Sequence, residues 1–521
     1  MPRRVLVWTA AGGVALALVV FARHAYPTPG TDAPSFLVSA INHRLGRGLV
    51  NPFYPQRAFA DPTGAQRHVY YPPLFPLAVS ALMRRATPTD AFLAVAWLRV
   101  ASVLLSCALL LAVALRADRG LAGSTAALIA FSLCGQATSW LPTLGRPEAL
   151  ATLLVIVAAL GALHRGPPSR EGLHRGPPSR EGLRLDGAAL VAFLGAVTGL
   201  LAATQPFGAV ELVAVIGLAW SIREPTAAVL ARTAAVAAIA AAVFAAVALP
   251  SPHGLAETLA GMARAYPHTP WSAPPGEGWW KPWVTARRGT FYGPLYALAL
   301  LCGAHLLARR GGVRSRPAFA AFALALAACL YHGSLTHHSR RNYNALLLSP
   351  LAFAVVVGWF AASRSWIGSR WTRLGRAACL ACVLGTAAGF LGHVAGLPWF
   401  VAHGRGLDEA RAAWRSVPFP AGARIVLMGN LWPLSEDYGR MELLSPAALG
   451  DVMRRRPVPV LALGQRREHH GTPPPLREFT LLHDSFDREW ARRPRLLRPF
   501  LEEDYSFAVY LPAAPRGGGA P

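Results

Sequence analysis

Residues 234–249 read AAVAAIAAAVFAAVAL, a run without a single polar side chain. A helix on the surface of a soluble core shows polar residues at a spacing of about 3.6. Neither this run nor residues 188–202 has such a polar stripe. Apolar stretches of roughly 18 residues are long enough to cross the ~30 Å hydrocarbon core of a bilayer. We therefore predict an α-helical membrane protein.

Comparable apolar stretches recur along the chain and predict a polytopic membrane domain over residues 1–397. They predict about eleven transmembrane helices, at residues 5–22, 92–115, 123–141, 147–163, 186–203, 206–221, 233–250, 292–308, 317–333, 344–362 and 377–397. The first is interpreted as a retained helix rather than a cleaved signal peptide, because no A-x-A cleavage site follows it. The predicted fold class is all-α in this part of the chain.

The composition agrees with a membrane protein and excludes a nucleic-acid partner. Of 521 residues 53% are hydrophobic and only 15% are charged, with a formal net charge of +25; ordinary soluble domains carry about 25% charged residues. The arginines lie between apolar spans rather than in one patch, which the positive-inside tendency and contact with anionic membrane lipids explain. Their distribution predicts a multi-pass protein of the plasma (inner) membrane with a cytoplasmic N-terminus.

An odd number of spans places the C-terminal region outside the cytoplasm. Residues 398–511 are predicted to form a small extracytoplasmic α/β domain, with strands at 423–429, 457–463 and 507–511 and helices at 407–416 and 445–455. The Gly/Pro-rich tail 512–521 is predicted to be disordered. Two long loops, 23–91 and 251–291, share the outer side, and helical pieces are expected at 33–47 and 73–85.

The first candidate site residue is Asp32, about ten residues beyond the first predicted span. Carboxylates are scarce, with 26 acidic residues in the whole chain. An acid at the outer membrane surface can act as a general base or hold a divalent cation beside a phosphate. The alternative is a structural role, because Asp followed by proline in the first turn is also a common helix start.

A second candidate is the segment His68-Val69-Tyr70-Tyr71-Pro72-Pro73, which leads into a short apolar helix. The two prolines favour an extended entry into that helix. Tyr70 and Tyr71 have aromatic faces that suit a sugar ring or an isoprenoid chain. An interfacial tyrosine pair is the alternative interpretation.

Two further clusters combine charges with helix starts at the outer side. Arg146-Pro147-Glu148 opens the predicted span 147–163, where a charged pair is expensive to bury and usually functional; a local Arg–Glu pair is the alternative. The second cluster precedes the predicted span 344–362. It places positive charges on the outer side, contrary to the positive-inside tendency, and this indicates a bound lipid phosphate or contact with headgroups. It comprises His332, His337, His338, Arg340, Arg341, Asn342 and Tyr343.

Taken together, these motifs resemble the GT-C class of membrane glycosyltransferases, closest to its protein-mannosyltransferase and aminoarabinose-transferase-like branch. The resemblance lies in the order of the motifs: Asp32, Tyr70-Tyr71-Pro72-Pro73-Leu74, Trp97-Leu98-Arg99-Val100, Arg146-Pro147-Glu148, Arg340-Arg341-Asn342-Tyr343 before a helix with Pro350, and a C-terminal domain on the outside.

The resemblance implies an enzyme that transfers a hexosyl or pentosyl group, with inversion, from a polyprenyl-phosphate donor to a lipid, glycan or protein acceptor. It implies Asp32 and Glu148 as catalytic carboxylates and as ligands of a divalent cation, Mg²⁺ or Mn²⁺, with no nucleotide cofactor. It also implies substrate or lipid-phosphate binding by Arg146, Arg340, Arg341, Tyr343, Tyr70, Tyr71 and His68.

Three other functions remain open from the sequence. An O-antigen ligase or polymerase-like enzyme would share the spans and outer arginines but would not require an acid at Asp32. A transporter of a lipid-linked or anionic substrate would show internal repeats and charges at the midplane, and a scaffold would not gather acids and arginines at helix starts. A shared site requires Asp32, Glu148 and Arg340 to lie within about 20 Å of one another, the size of a ligand pocket with its walls.

Overall fold

The computed structural model describes rather more than a third of the chain in continuous segments. These segments are residues 33–50, 72–117, 147–163, 187–221, 226–248, 405–427, 431–434, 441–443, 459–464, 479–486 and 504–512. Isolated residues and short pieces are also described between 255 and 403 and at 489 and 492. The predicted spans 5–22, 123–141 and 317–333 lie outside the described residues, so the number of about eleven stays a prediction.

Five long apolar helices occupy the places where the sequence predicts spans. They are α3 (Pro88–Ala117), α4 (Glu148–Leu163), α5 (Gly187–Ala202), α6 (Pro206–Ser221) and α7 (Thr226–Ala248). By length and hydropathy, two stretches in the described part could cross a membrane, Pro88–Ser106 and Thr226–Ala248. The apolar helices Ala149–Ala158 and Gly187–Ala202 are shorter.

Helix α3 begins four residues earlier than predicted, and burial of its first turns by the rest of the protein explains the difference. Its 30 residues span about 45 Å at 1.5 Å per residue, whereas the hydrocarbon core is ~30 Å thick. About ten residues can therefore extend beyond the bilayer. In the first turns, Ala91, Phe92, Ala94 and Val95 are buried by protein.

Helices α5 and α7 pack closely because α5 has glycine at two successive contact positions. A Cβ atom added at Gly195 would lie 2.6 Å from Cβ of Ile239, and one added at Gly199 would lie 2.6 Å from Cβ of Val243. The Gly-x-x-x-Gly spacing places both glycines on one face of α5. Association of apolar helices in a bilayer depends on such close backbone approach.

Two short helices precede α3, as the sequence predicts for the first outer loop. They are α1 (Ala33–Arg44) and α2 (Leu74–Leu82). Helix α1 stops three residues earlier than expected: at Gly46 the backbone has φ 74°, a conformation that glycine adopts readily, and the turn Leu45–Gly46 ends the helix.

Between residues 405 and 512, the described segments form one helix and a five-stranded mixed sheet. The helix is α8 (Leu407–Ser416), and the strands are β1 (Ile425–Leu427), β2 (Met441–Leu443), β3 (Val460–Gly464), β4 (Phe479–Asp484) and β5 (Phe507–Pro512), in the order β2-β1-β3-β5-β4. Strand β1 is parallel to β2 and β3, whereas β5 is antiparallel to β3 and β4. The sequence predicts α8, β1, β3 and β5; the predicted helix 445–455 lies outside the described residues.

Helix α8 covers the sheet with one apolar face. Leu407, Ala410 and Trp414 are buried, at the spacing of a single helix stripe. The indole of Trp414 contacts the ring of Phe507 on β5 with centroids 5.4 Å apart. Two acids in the first turn, Asp408 and Glu409, suit the positive end of the helix dipole.

The core of the sheet continues into the first three helices. One cluster of buried residues includes Phe36 of α1, Phe75 of α2, Phe92 of α3 and Tyr505 beside β5. A 3-10 turn at Trp432–Leu434, fully buried at Trp432, adds to the same cluster. The sheet therefore lies at the N-terminal end of α3 and packs directly on the segments that precede it.

Candidate active site at the helix ends

Helices α1 and α2 lie side by side and run in the same direction. The rings of Phe36 and Phe75 meet edge to face with centroids 5.5 Å apart. Seven residues later on α1 and five later on α2, Nδ1 of His43 and Oγ of Ser80 are 2.9 Å apart. The two contacts follow the same order along both helices. The helices are therefore parallel, and their N-termini lie next to each other. Helix α1 starts at Ala33, the residue that follows Asp32 in the sequence.

The start of α2 is fixed to the turn between α5 and α6. The backbone N–H of Leu74 donates to the carbonyl oxygen of Ala203 at 2.9 Å. Pro72 and Pro73, which come directly after the tyrosine pair in the sequence, are buried. The hydroxyl of Thr204 closes the turn by donating to the carbonyl of Leu200 at 2.8 Å.

Helix α4 has its N-terminus at the same end of the helix group. It begins at Glu148, and the N–H of Ala151 donates to the carbonyl of Pro147 at 2.9 Å. Leu150, in the first turn, packs against the cluster that contains Phe36 and Phe75. The starts of α1, α2 and α4 therefore share one end of the helix group. Helix N-termini carry partial positive charge and unpaired N–H groups, so their convergence favours a bound anion.

Most residues that the sequence predicts for the site lie outside the described part of the chain. These are Asp32, His68, Tyr70, Tyr71, Arg146, Arg340, Arg341 and Tyr343. For Glu148 the structure gives the backbone, as the first residue of α4, but not the side chain. The structure thus brings together the helices adjoining three of the predicted motifs, while the shared site itself stays a prediction.

The expected divalent cation is likewise a prediction. Among the described residues, no group of three His, Cys, Asp or Glu side chains could hold a metal ion. Both predicted ligands, Asp32 and Glu148, fall outside that search because their side chains are not described.

Within the described segments, the titratable groups with displaced pKa values belong to the C-terminal sheet. Burial raises the pKa of Asp504 to about 6, although hydrogen bonds from Ser506 and from the backbone of Arg405 act in the opposite direction. Burial also lowers the pKa of His483, and the charge of Arg405 lowers it further. The imidazole of His483 stacks on Phe507 at 4.7 Å. His483 lies on β4, and Asp504 lies three residues before β5.

One polar residue at the helix ends was given no role from the sequence. Gln205 follows Thr204 in the turn between α5 and α6. Its Oε1 is buried, and no hydrogen-bond partner for it is found in the part of the chain that the structure describes. The signal in the sequence is a polar pair, Thr204-Gln205, between two predicted apolar spans.

Comparison with known proteins gives structural neighbours. No family model matches the chain, and no curated protein matches it. Two similar solved structures are the oligosaccharyltransferase of Archaeoglobus fulgidus in the apo form and in complex with Zn and sulfate, each at 12% sequence identity, with TM-scores of 0.44 and 0.45. The alignments cover 83% and 82% of this chain.

A third neighbour is the oligosaccharyltransferase AglB of Archaeoglobus fulgidus in complex with an inhibitory peptide and a dolichol-phosphate, at 12% identity and a TM-score of 0.38, covering 81% of this chain. These neighbours belong to the GT-C class that the sequence resembles. The chain spans 64%, 62% and 62% of the three neighbours.

Proposed function

We propose that this chain is a glycosyltransferase that moves a sugar from a polyprenyl-phosphate-linked donor to an acceptor at the extracytoplasmic membrane face. One observation carries the proposal: the N-terminal ends of α1, α2 and α4 share one end of the helix group. In the sequence, Asp32 directly precedes α1, the tyrosine pair precedes α2 by two prolines, and Arg146 precedes Glu148 at the start of α4. These motifs, which are distant in the sequence, thus adjoin helix starts at one end of the helix group.

The chemistry requires a base at one side of the sugar and positive charge at the other. In the proposed reaction a carboxylate, Asp32 or Glu148, takes the proton from an acceptor hydroxyl. The acceptor oxygen forms a bond to the anomeric carbon as the bond from that carbon to the phosphate oxygen breaks. The electron pair leaves with the polyprenyl phosphate. Attack from the face opposite the phosphate would invert the anomeric configuration.

The proposed leaving group is an anion, which explains why arginines accompany the acids. The guanidinium groups of Arg146, Arg340 and Arg341 would stabilise the charge that develops on the phosphate, since a planar guanidinium matches phosphate geometry. Tyr70, Tyr71 and Tyr343 would pack on the sugar or the isoprenoid, and His68 would donate a hydrogen bond. Two carboxylates supply the oxygen ligands that Mg²⁺ or Mn²⁺ takes, and such a cation would neutralise the phosphate.

The packing of the C-terminal sheet supports a site at the membrane surface. The sheet lies at the N-terminal end of α3, a candidate span, and shares its core with α1 and α2. The proposed site and the sheet therefore occupy the same side of that span. With the N-terminus in the cytoplasm this side is extracytoplasmic, where a lipid-linked sugar would meet its acceptor.

The proposal is tested with the full-length protein in vesicles that contain a polyprenyl-phosphate hexose. Mass spectrometry of glycolipids and glycoproteins in a deletion strain first identifies the acceptor. Release of free polyprenyl phosphate is then measured for the wild type and for Asp32→Asn and Glu148→Gln. We expect transfer by the wild type and a loss of at least about 100-fold in each variant, the usual contribution of a general base.

Asp408→Asn is the matched control, because Asp408 is an exposed acid on α8, in the C-terminal region. It should transfer at the wild-type rate. Full activity of Asp32→Asn would favour the O-antigen ligase or polymerase-like enzyme. Movement of the intact lipid across the vesicle membrane without transfer would favour a transporter.

A further inference from the structure

The C-terminal ends of α1 and α2 lie together, at the end of the pair that faces away from the helix starts. Nδ1 of His43, in the last turn of α1, is 2.9 Å from Oγ of Ser80, in the last turn of α2. Because the two helices are parallel, the residues that follow His43 and those that follow Ser80 emerge at the same place. The two chain segments therefore form one surface.

This surface combines positive charge with exposed apolar side chains. Two leucines are unusually open to solvent, Leu45 with 48% and Leu82 with 53% of its surface exposed. One exposed leucine is ordinary on a protein surface, but these two accompany four exposed arginines. The six residues, here named the basic–leucine patch, are Arg44, Leu45, Arg47, Leu82, Arg84 and Arg85.

Hydrogen bonds hold the backbone on both sides of the patch. After α1, the N–H of Arg47 donates to the carbonyl of Asn42 at 2.9 Å, and Nδ2 of Asn42 donates to the carbonyl of Val50 at 2.8 Å. After α2, Met83 is buried, and its N–H donates to the carbonyl of Val79 at 3.1 Å. The side chains of the patch therefore project from fixed positions.

The neighbouring chain does not balance the charge of the patch. Residues 33–50 and 72–117 contain a single acid, Asp90, and its Oδ2 accepts the backbone N–H of Arg85 at 2.6 Å. Among the described residues, none of the four guanidinium groups has an ion-pair partner. The patch is thus complementary to an anionic surface.

Two features favour a lipid surface over a soluble anion as the partner. Arg85 lies three residues before Pro88, where the candidate span Pro88–Ser106 begins, and arginines near the end of a span extend to the membrane interface. The leucines are the second feature, because apolar side chains beside cations suit the boundary between headgroups and acyl chains. A soluble anion would pair with the arginines but leave both leucines in water.

We propose that the basic–leucine patch binds the bilayer surface through anionic phospholipid headgroups. The guanidinium groups contact the lipid phosphates, and Leu45 and Leu82 insert at the level of the glycerol groups. This interaction is independent of the proposed reaction. In the topology that the sequence predicts, the patch lies on the outer side, where the positive-inside tendency leaves few arginines, and lipid binding gives these four a role.

The test measures how close Leu82 comes to the lipids when the full chain is in nanodiscs. Leu82→Cys carries a bimane label, and the quencher is a phosphatidylcholine with a nitroxide high on its acyl chain. Wild-type protein treated with the same reagent gives the background from its six native cysteines. We expect stronger quenching in nanodiscs that contain phosphatidylglycerol than in phosphatidylcholine alone, and less quenching in about 1 M salt, which screens the charges.

Substitution of two arginines tests the contribution of charge. An arginine near an anionic surface contributes about fivefold to the binding equilibrium, so Arg44→Gln with Arg84→Gln should weaken docking of the patch about 30-fold. Arg44→Lys with Arg84→Lys keeps both charges and should retain most of the quenching. The matched control is Arg415→Gln with Arg424→Gln, which removes two exposed arginines elsewhere and should quench as the parent does.

All of these side chains are exposed, so each variant should keep the unfolding midpoint of its parent. The comparison of the two lipids in Leu82→Cys alone tests the proposal if an arginine variant does not fold. A label at Leu82 that is quenched in neither kind of nanodisc would overturn the inference, because the patch would then face water or a soluble partner. Equal quenching in both lipids would overturn it as well, and so would an equal loss in the control pair, which would indicate an effect of net charge.

Discussion

The ring of Phe92 on α3 meets the ring of Tyr505 edge to face, with centroids 6.3 Å apart and planes at 84°. Both side chains are almost fully buried. One helical turn earlier, Thr89 accepts a hydrogen bond from the guanidinium of Arg411 on α8. The C-terminal sheet thus contacts the first turns of α3, and this contact connects it to helices α1 and α2, which share the same core.

Phe92→Ala should therefore destabilise the protein strongly. Replacing a buried phenylalanine by alanine costs about 3–5 kcal/mol because contacts are lost and a cavity is left. We expect a lower midpoint of unfolding in detergent, followed by tryptophan fluorescence. Phe193→Ala is the control, since the side chain of Phe193 on α5 is 37% exposed. Equal losses in the two variants would show that the sheet adds no stability through Phe92.

The second prediction concerns the contact between α5 and α7. A Cβ atom at Gly199 would lie 2.6 Å from Cβ of Val243 and 2.7 Å from the carbonyl oxygen of Ala240, distances that force the helices apart. Gly199→Val should cost about 1–3 kcal/mol or more through overpacking, and should reduce the yield of folded protein. Ala192→Val, on the exposed face of the same helix, should have wild-type yield and unfolding midpoint; a similar loss there would point to helix propensity instead of packing.

The long apolar helices were predictable because each depends on its own composition. Apolar length alone places α4, α5 and α6 within one residue of the predicted ends. The early start of α3 was not predictable in this way, since the turn at Phe92 is buried by residues more than 400 positions later in the chain. Strands β2 and β4 were also missed: Met441–Leu443 is only three residues long, and β4 contains a bulge at Leu481 and His483 that interrupts its alternation.

The proposed site was predictable only as a set of motifs. The sequence places acids and arginines at helix starts, but adjacency of those starts depends on tertiary contacts such as that between Leu74 and Ala203.

A third prediction addresses the pairing of α1 with α2. Ser80 is 3% exposed, and its Oγ lies 2.9 Å from Nδ1 of His43. Ser80→Ala would leave the imidazole nitrogen without this partner, at a cost of about 1 kcal/mol. The expected result is a small drop in the denaturant midpoint. Ser416→Ala removes an exposed bond to the carbonyl of Ala413 and should have less effect; the reverse order would contradict a buried coupling between the two helices.

The last prediction is a pH dependence of stability that originates at Asp504. The carboxyl group is 2% exposed, and burial raises its pKa in the folded protein from 3.8 to about 6. Because the native state then holds its proton more tightly than the unfolded state, the stabilisation is complete below pH 3.8 and is lost as the pH rises through about 6. One pKa unit corresponds to about 1.4 kcal/mol, so the loss is on the order of 3 kcal/mol.

The asparagine side chain in Asp504→Asn cannot ionise. The variant should therefore lack the loss of stability that Asp504 causes as the pH rises. The measurement is the free energy of unfolding of wild type and variant in detergent at several pH values between 4 and 8. The difference between the two proteins is taken at each pH, because the contributions of the other titratable groups then cancel. The difference should change by about 2.4 kcal/mol across this range, with wild type relatively more stable at the acid end. Asp408→Asn, at an exposed acid on α8, should follow the wild-type profile. A flat difference for Asp504→Asn would mean that Asp504 ionises at the same pH in the folded and unfolded chain, and that the bonds from Ser506 and the backbone of Arg405 offset its burial.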